Sequence, residues 1–510
     1  MNYNSIIKEK ETVMNHEGAK AYAISPEMEL YTAVVTCALS DKFYESKDGR
    51  MDRIAGLIRQ VDPEFVAKLA VYTRTQMNLR SIPLFLIVEL AKIHNGDSLV
   101  KRTIEKCVLR ADEIMELLMC YQLRNSDGKS IKKLGKLSRQ VQEGLKSAFN
   151  RFDEYQFAKY NRSNLEVKLK DALFIVHPKA NSAEQQAIFD KIVTDSLQIP
   201  YTWETELSAL GQQKFETEEE KKQAKRECWK KLVMSGRIGY MALLRNLRNL
   251  IDVGMGMDLE MLKIVCERIS SRDEVLKSRQ LPFRFFAAYR ELHGITRPEV
   301  QCILEALEQA ASYSAENISG FNEETPVFIA CDVSGSMNIP ISQKSSIANY
   351  DIGILLASVL RSKCKSVVTG LFGETWLPAT GGPECGVLEN TIRMHRFANK
   401  VGFATNGHLA INWLLKEGIK ADKLMFFTDM QMWDSKGDGG HLEKSWKAYK
   451  QFNPNAQLFL FDLNGYGHSP VRLLGDDVTL IAGWSDKIFD VLTAVENGED
   501  ALSQIYKMEV

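Results

Sequence analysis

The chain has 510 residues, more than one hydrophobic core ordinarily holds, so we expect two or three domains. Hydrophobic residues make up 45% and charged residues 26%, and no apolar run reaches the ~18 residues of a membrane helix. Nine dispersed cysteines, an odd number without a CxxC pair, argue against a disulfide framework and against a zinc site. The first ten residues show no secretion signal, so we expect a cytoplasmic protein with reduced thiols and no membrane partner.

The net charge is -1, but the charges are unevenly distributed. Residues 121–180 contain 13 Lys and Arg against six Asp and Glu, a local charge of +7, whereas residues 321–510 contain 17 against 22. A basic stretch on an otherwise neutral protein indicates a polyanionic partner for that stretch.

Helical periodicity fills residues 26 to about 313. Proline stands at the start of several segments, at Pro26, Pro63 and Pro298, where a missing N–H costs a helix nothing. Many segments of ten to fifteen residues with short connections predict an array of helical repeats. The predicted helices cover 26–39, 62–72, 82–94, 98–108, 112–123, 134–149, 185–197, 238–250, 255–268 and 297–311. The charged run 216–227 is predicted to be a solvated helix or loop.

A polar linker over 314–326 separates this array from a region in which strands and helices alternate. That alternation predicts a doubly wound α/β sheet and a division into domains 1–318 and 319–510. The predicted strands cover 327–332, 366–372, 424–429, 457–463 and 478–482. The predicted helices between and after them cover 350–362, 407–417, 443–451 and 487–506.

Three loops of the α/β region carry short oxygen ligands. Asp332, Ser334 and Ser336 follow the first apolar strand, Thr405 precedes a helix, and Asp429 ends a second apolar strand. Because the carboxyl ends of parallel strands meet at one edge of a sheet, these side chains are expected to lie together and to suit a hard cation. The alternative for the first loop is a strand-turn-helix connection in which Asp332 or Ser334 only caps the helix.

The three loops together resemble the metal-ion-dependent adhesion site of von Willebrand factor A domains. The resemblance implies that Asp332, Ser334, Ser336, Thr405 and Asp429 bind Mg²⁺ or another divalent cation, with one position left for an acidic group of a partner. Asn406 stands where that family tends to have an acid, so the affinity for the metal is expected to be lower.

Four strings in the helical region, 15–19, 70–83, 239–250 and 278–283, resemble the TROVE module, and TROVE joined to an A domain is similar to the Ro autoantigen family in its bacterial or phage Rsr form. The resemblance implies a monomeric, HEAT-like helical-repeat ring closed by an α/β domain of the von Willebrand A type, which is Rossmann-like. It further implies an RNA-binding ribonucleoprotein that takes small structured Y-like RNA on a basic outer face and single-stranded 3′ ends of defective RNA in a central hole. RNA quality control and tethering to an exoribonuclease such as polynucleotide phosphorylase are the implied roles.

Cations of the basic stretch and arginines of the family strings are the predicted RNA contacts, because Lys and Arg neutralise phosphates without reading bases. Tyr155, Phe157 and Tyr160 lie among them and could stack on unpaired bases. A solvated pair of basic helices with its aromatic rings turned inward is the alternative, and structural ion pairs are the alternative for the arginines. The predicted contacts are Lys132, Lys133, Lys136, Arg139, Lys159, Arg162, Lys168, Lys170, His177, Arg74, Arg80, Arg245 and Arg248.

Two other functional classes compete with RNA binding. The sequence contains no P-loop and no G-x-S-x-G string, and 254–258 lacks a third glycine and a preceding strand, so an enzyme is not expected. A metal-dependent scaffold for protein partners, without any RNA role, is the remaining alternative.

Overall fold

The structure is a computed structural model. It describes residues 12–37, 45–125, 137–161, 166–280, 282–314, 316, 324–341, 345–379, 386–433, 441–473, 477–483 and 487–510. None of the helices within these ranges combines the length and the hydrophobicity that crossing a lipid bilayer requires.

The chain forms two compact units. The first, called the helical unit, contains residues 25–37, 45–201 and the C-terminal 502–510; the second, called the mixed unit, contains residues 12–24 and 202–501. These units are defined by how the chain packs, whereas the predicted domain boundary near residue 318 was drawn from composition. That boundary stays a prediction.

The helical unit is built from amphipathic helices with well-formed ends. Asp62 accepts a hydrogen bond from the N–H of Glu64, and Pro63 occupies the first helical position, as the sequence predicts. Its helices are α1 (Pro26–Val35), α2 (Lys47–Ile58), α3 (Pro63–Thr75), α4 (Ser81–Ile93), α5 (Leu99–Cys107), α6 (Ala111–Asn125), α7 (Arg139–Phe149), α8 (Glu154–Tyr160), α9 (Leu169–Val176) and α10 (Ala183–Val193).

The mixed unit begins with a short β-hairpin and continues with further helices. The hairpin strands are β1 (Thr12–Met14) and β2 (Lys20–Ala23). The predicted single helix 238–250 is wrong in detail, because the helix breaks at Asn246 into two short ones. The helices here are α11 (Trp203–Gly211), α12 (Glu218–Met234), α13 (Tyr240–Arg245), α14 (Leu247–Asp252), α15 (Leu259–Ile269), α16 (Arg272–Ser278), α17 (Pro282–Leu292) and α18 (Pro298–Ser314).

The α/β part of the mixed unit is a six-stranded sheet in the order β5-β4-β3-β6-β7-β9, parallel except for the edge strand β5. Its elements are β3 (Val327–Asp332), α19 (Asn349–Lys363), β4 (Val367–Phe372), β5 (Trp376–Pro378), α20 (Val387–Phe397), α21 (His408–Glu417), β6 (Lys423–Thr428), α22 (His441–Phe452), β7 (Gln457–Asp462), β8 (His468–Ser469), β9 (Val478–Ala482) and α23 (Lys487–Glu496). The last helix of the chain, α24 (Ser503–Tyr506), belongs to the helical unit.

The strand order reverses at β3, which is the central feature of this sheet. The chain runs from β3 outward to β4 and then returns to β6 on the other side of β3. Since such crossovers are right-handed, the helices cover both faces, and a crevice opens between the carboxyl ends of β3 and β6. The fold class predicted from the sequence, helical repeats followed by a doubly wound α/β domain, is confirmed.

Several elements were not predicted. The short strands β1, β2, β5 and β8 carry too few residues to stand out, whereas α20 has an amphipathic pattern that the sequence does show. The predicted helix 487–506 is two helices, because Gly498 adopts a φ of +80° that ends the first of them.

Candidate metal site and cation surfaces

The first loop of the predicted metal site places three oxygen-bearing side chains at the end of β3. Asp332, Ser334 and Ser336 are buried, with exposed fractions of 0%, 1% and 4%. The Asp332 carboxylate accepts hydrogen bonds from the N–H of Ser334 (2.9 Å) and from the Thr428 hydroxyl (2.6 Å). The hydroxyls of Ser334 and Ser336 lie 3.3 Å apart. The loop therefore does more than cap a helix, since its polar atoms converge inside the protein.

The second and third loops meet the first through the backbone. The N–H of Gly335 donates to the carbonyl of Phe403 (3.3 Å), which joins the first loop to the loop of Thr405. Thr405 in turn forms an isolated antiparallel bridge with Trp433, which joins it to the loop that follows Asp429. All five predicted metal-site residues thus lie on loops at the same edge of the sheet, beside the crevice between β3 and β6.

Asp429 is fully buried and only partly hydrogen-bonded. Its Oδ1 atom accepts from the N–H of Gln431 (3.0 Å), whereas its Oδ2 atom has no hydrogen-bond partner within the described ranges. Met430, between the two, adopts a φ of +65°, a left-handed backbone that costs a non-glycine residue about 1 kcal/mol or more. A buried acceptor without a donor in a strained loop is the arrangement that a bound cation would complete.

The electrostatics of the two carboxyl groups agree with this interpretation. Burial raises the pKa of Asp332, and burial together with the charge of Asp332 raises the pKa of Asp429. The Ser336 hydroxyl lies near enough to favour the ionised form of Asp429 and so lowers its pKa. Two buried carboxyl groups whose ionisation burial opposes fit a divalent cation, because its charge would offset theirs. The described residues hold no cluster of three or more His, Cys, Asp or Glu suited to a metal, so a cation at this position would depend on hydroxyl oxygens as well.

Asp462 and Asn406 complete the surroundings of this site. Asp462 ends β7, is 1% exposed, accepts from the N–H groups of Asn464 and Gly465, and its charge further raises the pKa of Asp429. Sequence reasoning did not select Asp462, although an apolar strand ending in Asp was the same signal that selected Asp332 and Asp429. The Asn406 amide donates to the Glu374 carbonyl (3.1 Å), so this residue holds the Thr405 loop in place.

Four of the predicted RNA contacts, Lys132, Lys133, Lys136 and Arg162, lie outside the described residues. Others of the basic stretch are exposed: Arg139, Lys159, Lys168 and His177. Lys170 is half-buried and paired with Asp195 (3.1 Å).

The three aromatic residues of this stretch divide between surface and core. Tyr155 is 49% exposed, and the Lys159 ammonium lies 5.9 Å from the centre of its ring. Phe157 is fully buried against Phe149 and Phe152, so it is a core residue. The Tyr160 ring is half-buried, and the Arg110 guanidinium lies 4.5 Å from its centre. Phe157 is thus turned inward, as the alternative interpretation expects, whereas stacking of the exposed Tyr155 ring on a base stays a prediction.

The arginines of the family strings also divide. Arg74 is 8% exposed, and its guanidinium bonds to the Glu113 carboxylate (2.7 Å) and the Cys107 carbonyl, which is the structural ion pair of the two alternatives. Arg80 is exposed and pairs with Asp112 (3.0 Å). Arg248 is exposed and lies 3.3 Å from Asp252.

Arg245 and Arg284 differ from these three arginines, because the charge of one acts on the other. Both are exposed, and neither forms an ion pair with a carboxylate in the part of the chain that the structure describes. Desolvation by the surrounding protein, and then the charge of Arg245, lower the pKa of Arg284. An anion placed between them would relieve this repulsion.

The fold and site define a class of protein in which helical repeats are joined to an α/β domain. That domain carries acidic and hydroxyl side chains on three neighbouring loops at one edge of its sheet. The TROVE domain family matches residues 31–214 and 195–317, and the chain belongs to that family. In fold it is similar to the crystal structure of the Ro (Rsr) protein of Deinococcus radiodurans, with a TM-score of 0.60, 19% identity, and coverage of 93% of this chain and 100% of that one.

Sequence similarity also extends to much longer proteins. Telomerase protein component 1 of Rattus norvegicus is 24% identical over 317 residues, 47% of this chain and 11% of that protein. The mouse (Mus musculus) protein is 24% identical over 314 residues, 46% and 11%. The chain therefore spans about a tenth of the length of these relatives. The TROVE family that the sequence strings indicate is confirmed by the family match, and the fold expected for Ro is confirmed by the structural match.

Proposed function

We propose that this protein is the RNA-binding component of a ribonucleoprotein. The observation that carries the proposal is the exposure of three basic side chains within the segment that matches the TROVE family: Lys159 on α8, and Lys168 and His177 at the two ends of α9. None of these three side chains forms an ion pair with a carboxylate among the described residues. Cations held on an exposed surface without acidic partners are available to phosphates, and Tyr155 beside Lys159 offers a ring for an unpaired base.

His177 has a fixed backbone position at the C-terminal end of α9. It terminates α9 with a φ of +51°, a left-handed conformation that a non-glycine residue adopts at some cost, and its imidazole remains exposed. This surface is proposed to bind a small structured RNA of the Y type. The Arg245 and Arg284 pair is proposed to bind the phosphates of single-stranded 3′ ends, as in defective RNA.

The test is RNA binding by purified protein, measured by filter retention against a stem-loop RNA and a single-stranded RNA at several salt concentrations. Lys159→Glu with Lys168→Glu should weaken stem-loop binding at least tenfold. The slope of log affinity against log salt concentration should become shallower by about the amount expected for two lost phosphate contacts. Arg245→Ala with Arg284→Ala should weaken single-strand binding selectively. The matched control is Lys221→Glu with Lys263→Glu, an equal charge change on α12 and α15. If the control variant and the first double variant lose the same RNA affinity, the loss reflects net charge and not a specific surface. If the unmodified protein binds no RNA, the scaffold alternative is favoured.

We also propose that Asp332, Ser334, Ser336, Thr405 and Asp429 hold Mg²⁺. The Oδ2 atom of Asp429, which has no hydrogen-bond partner among the described residues, and the raised pKa of both carboxyl groups support this assignment. A bound Mg²⁺ supplies a coordination position for a carboxylate of a partner protein. An exoribonuclease, such as polynucleotide phosphorylase, is the partner class that would connect this site to processing of the bound RNA, which would then serve RNA quality control.

Binding of a partner at this site has a direct test. A synthetic peptide bearing one exposed Glu, or the purified exoribonuclease, should associate with the protein in Mg²⁺ and dissociate in EDTA. Thr405→Val removes one hydroxyl without changing the shape of the side chain, and it should weaken the Mg²⁺-dependent association. Association that persists in EDTA would contradict this part of the proposal.

A further inference from the structure

The N-terminal hairpin, residues 12–23, is bound to the α/β part of the mixed unit. Its strand β2 pairs in antiparallel fashion with β8, in the register Tyr22 to Ser469 and Ala23 to His468. The turn between β1 and β2 is closed by Asn15, whose Oδ1 atom accepts from the N–H groups of Glu17 (3.0 Å) and Ala19 (2.8 Å). This turn is the string 15–19 that resembles the TROVE module, and the proposed RNA contacts do not include it.

The turn touches the metal loops at two points far away in sequence. The Nδ2 atom of Asn15 donates to the carbonyl of Met432 (2.8 Å), and the N–H of His16 donates to the Oε1 atom of Gln431 (2.9 Å). These contacts span 417 and 415 residues. Asn15 is 6% exposed and Gln431 is fully buried, so each of the two hydrogen bonds is formed by a buried side chain.

Gln431 transmits these contacts to the carboxylate. Its N–H holds the Oδ1 atom of Asp429 (3.0 Å), and its side-chain amide lies 2.6 Å from the His468 imidazole and 3.3 Å from the Asp429 carbonyl. The hairpin thus fixes one end of the Gln431 side chain, and β8, which pairs with the hairpin, fixes the other. Between Gln431 and Asp429 stands Met430 in its left-handed conformation, which persists only where its surroundings hold it.

We propose that the N-terminal hairpin is part of the metal site, with Asn15 and Gln431 as positioning residues that orient the Asp429 carboxylate. The inference rests on the proposed Mg²⁺ site. Without the hairpin, the Oε1 atom of Gln431 and the Met432 carbonyl each lose a hydrogen bond, and the loop of Asp429 can relax from the strained backbone. Metal binding and docking of the hairpin are therefore coupled, and the coupling is reciprocal: each raises the apparent affinity of the other by the same factor.

The first measurement is the Mg²⁺ affinity of the full chain, by calorimetric titration with MgCl₂. Gln431→Met keeps the backbone N–H to Asp429 and the length of the side chain but removes its polar contacts, and Asn15→Ala removes the link to Met432. Each should raise the Kd about tenfold, within the roughly 5- to 150-fold range typical of coupled sites. The control is Trp446→Phe, which removes a hydrogen bond to Asp477 (3.0 Å), just before β9 at the opposite end of the sheet. Its Kd should stay within twofold of the unmodified protein.

The second measurement is hydrogen exchange of peptides that cover residues 12–24, with and without Mg²⁺. Mg²⁺ should slow exchange in the unmodified protein and in Trp446→Phe, and should leave exchange unchanged in Asp429→Asn. A purely structural role of the hairpin would give slow exchange independent of Mg²⁺. This readout uses the unmodified chain, so it decides the matter even if Gln431→Met fails to fold.

The outcomes separate the two proposals. If the unmodified protein binds Mg²⁺ and Asp429→Asn does not, while Asn15→Ala binds as tightly as the unmodified protein and Mg²⁺ leaves the exchange of residues 12–24 unchanged, the coupling is overturned and the metal site stands. If the unmodified protein binds no Mg²⁺, or Asp429→Asn binds it equally well, the metal site fails and the coupling fails with it.

Discussion

Replacement of Asp429 by asparagine should have opposite effects in EDTA and in Mg²⁺. In EDTA the variant should be more stable than the unmodified protein, because it removes a carboxylate whose pKa is raised by burial and by the charge of Asp332. The asparagine retains an oxygen for the N–H of Gln431, and its new amide occupies the position of an oxygen that has no hydrogen-bond partner among the described residues. In Mg²⁺ the variant should gain nothing, because the carboxylate that would bind the metal is gone.

The two effects have different sizes. A shift of one pKa unit corresponds to about 1.4 kcal/mol, so relief of the buried charge should contribute at least about 1 kcal/mol to the free energy of unfolding at pH 8. At a Mg²⁺ concentration 100 times the Kd, the native unmodified protein gains about 2.7 kcal/mol. For a cooperative unit of roughly 150–250 residues, about 1 kcal/mol moves the Tm by 2–4 °C, so Mg²⁺ should raise the Tm of the unmodified protein by about 5–10 °C.

The assay is thermal unfolding at pH 8 in 1 mM EDTA and in a Mg²⁺ series, with Ca²⁺ as a second cation. The order of the two proteins by Tm should reverse between EDTA and saturating Mg²⁺. An equal Mg²⁺-dependent rise in both proteins would place the cation elsewhere. A variant that is less stable than the unmodified protein in EDTA would show that other interactions of Asp429 outweigh its repulsion with Asp332, and the electrostatic reasoning would be refuted.

Three further predictions concern the scaffold. Arg74→Met should lower the free energy of unfolding by about 3 kcal/mol, because it removes the nearest cation from the fully buried Glu113 carboxylate and leaves Arg80, 3.7 Å away, as its ion-pair partner. The folded variant should keep its RNA affinity; urea unfolding and filter binding measure the two. Burial opposes ionisation of Asp351, but hydrogen bonds from neighbouring residues outweigh it and lower its pKa, so the stability it contributes is present above its unfolded pKa and is lost as pH falls through the lower folded value. Asp351→Asn should therefore flatten the acid limb of a stability profile measured below about pH 4, and an unchanged limb would contradict this. Gly144→Ala should cost about 1–3 kcal/mol despite better helix propensity, because the added Cβ would meet the branched Ile104 side chain at 2.8 Å; a neutral effect in urea unfolding would show that α5 and α7 can separate.

Much of the metal site could be predicted because its signals are local. Asp332 and Asp429 each follow an apolar strand, and parallel strands bring their carboxyl ends to one edge whatever the rest of the chain does. Asp462 carries the same local signal at the end of β7, so the sequence was sufficient to select it as well. The orientation of Asp429 could not be predicted, because it depends on Gln431 and on Asn15, which lies more than 400 residues away in sequence.

The RNA contacts show a sharper limit. Composition identifies the basic stretch 121–180, but a lysine or arginine looks the same in sequence whether it faces solvent or a carboxylate. Lys159 is exposed and Arg74 is buried in an ion pair, although the sequence predicts both as RNA contacts. Burial is a property of the packed chain, so it appears only when the partner helices are in place.

Helical and strand periodicity, the acids that end the strands, and the family strings could all be read from the linear chain, because each is set by neighbours within a few residues. They were enough to specify the helical repeats, the doubly wound sheet and the TROVE family. Folding in three dimensions settled which arginines are structural, which aromatic ring is exposed, and how the first described residues reach the loop of Asp429. Those features arise from contacts between segments distant in sequence, and no local pattern of side chains encodes them.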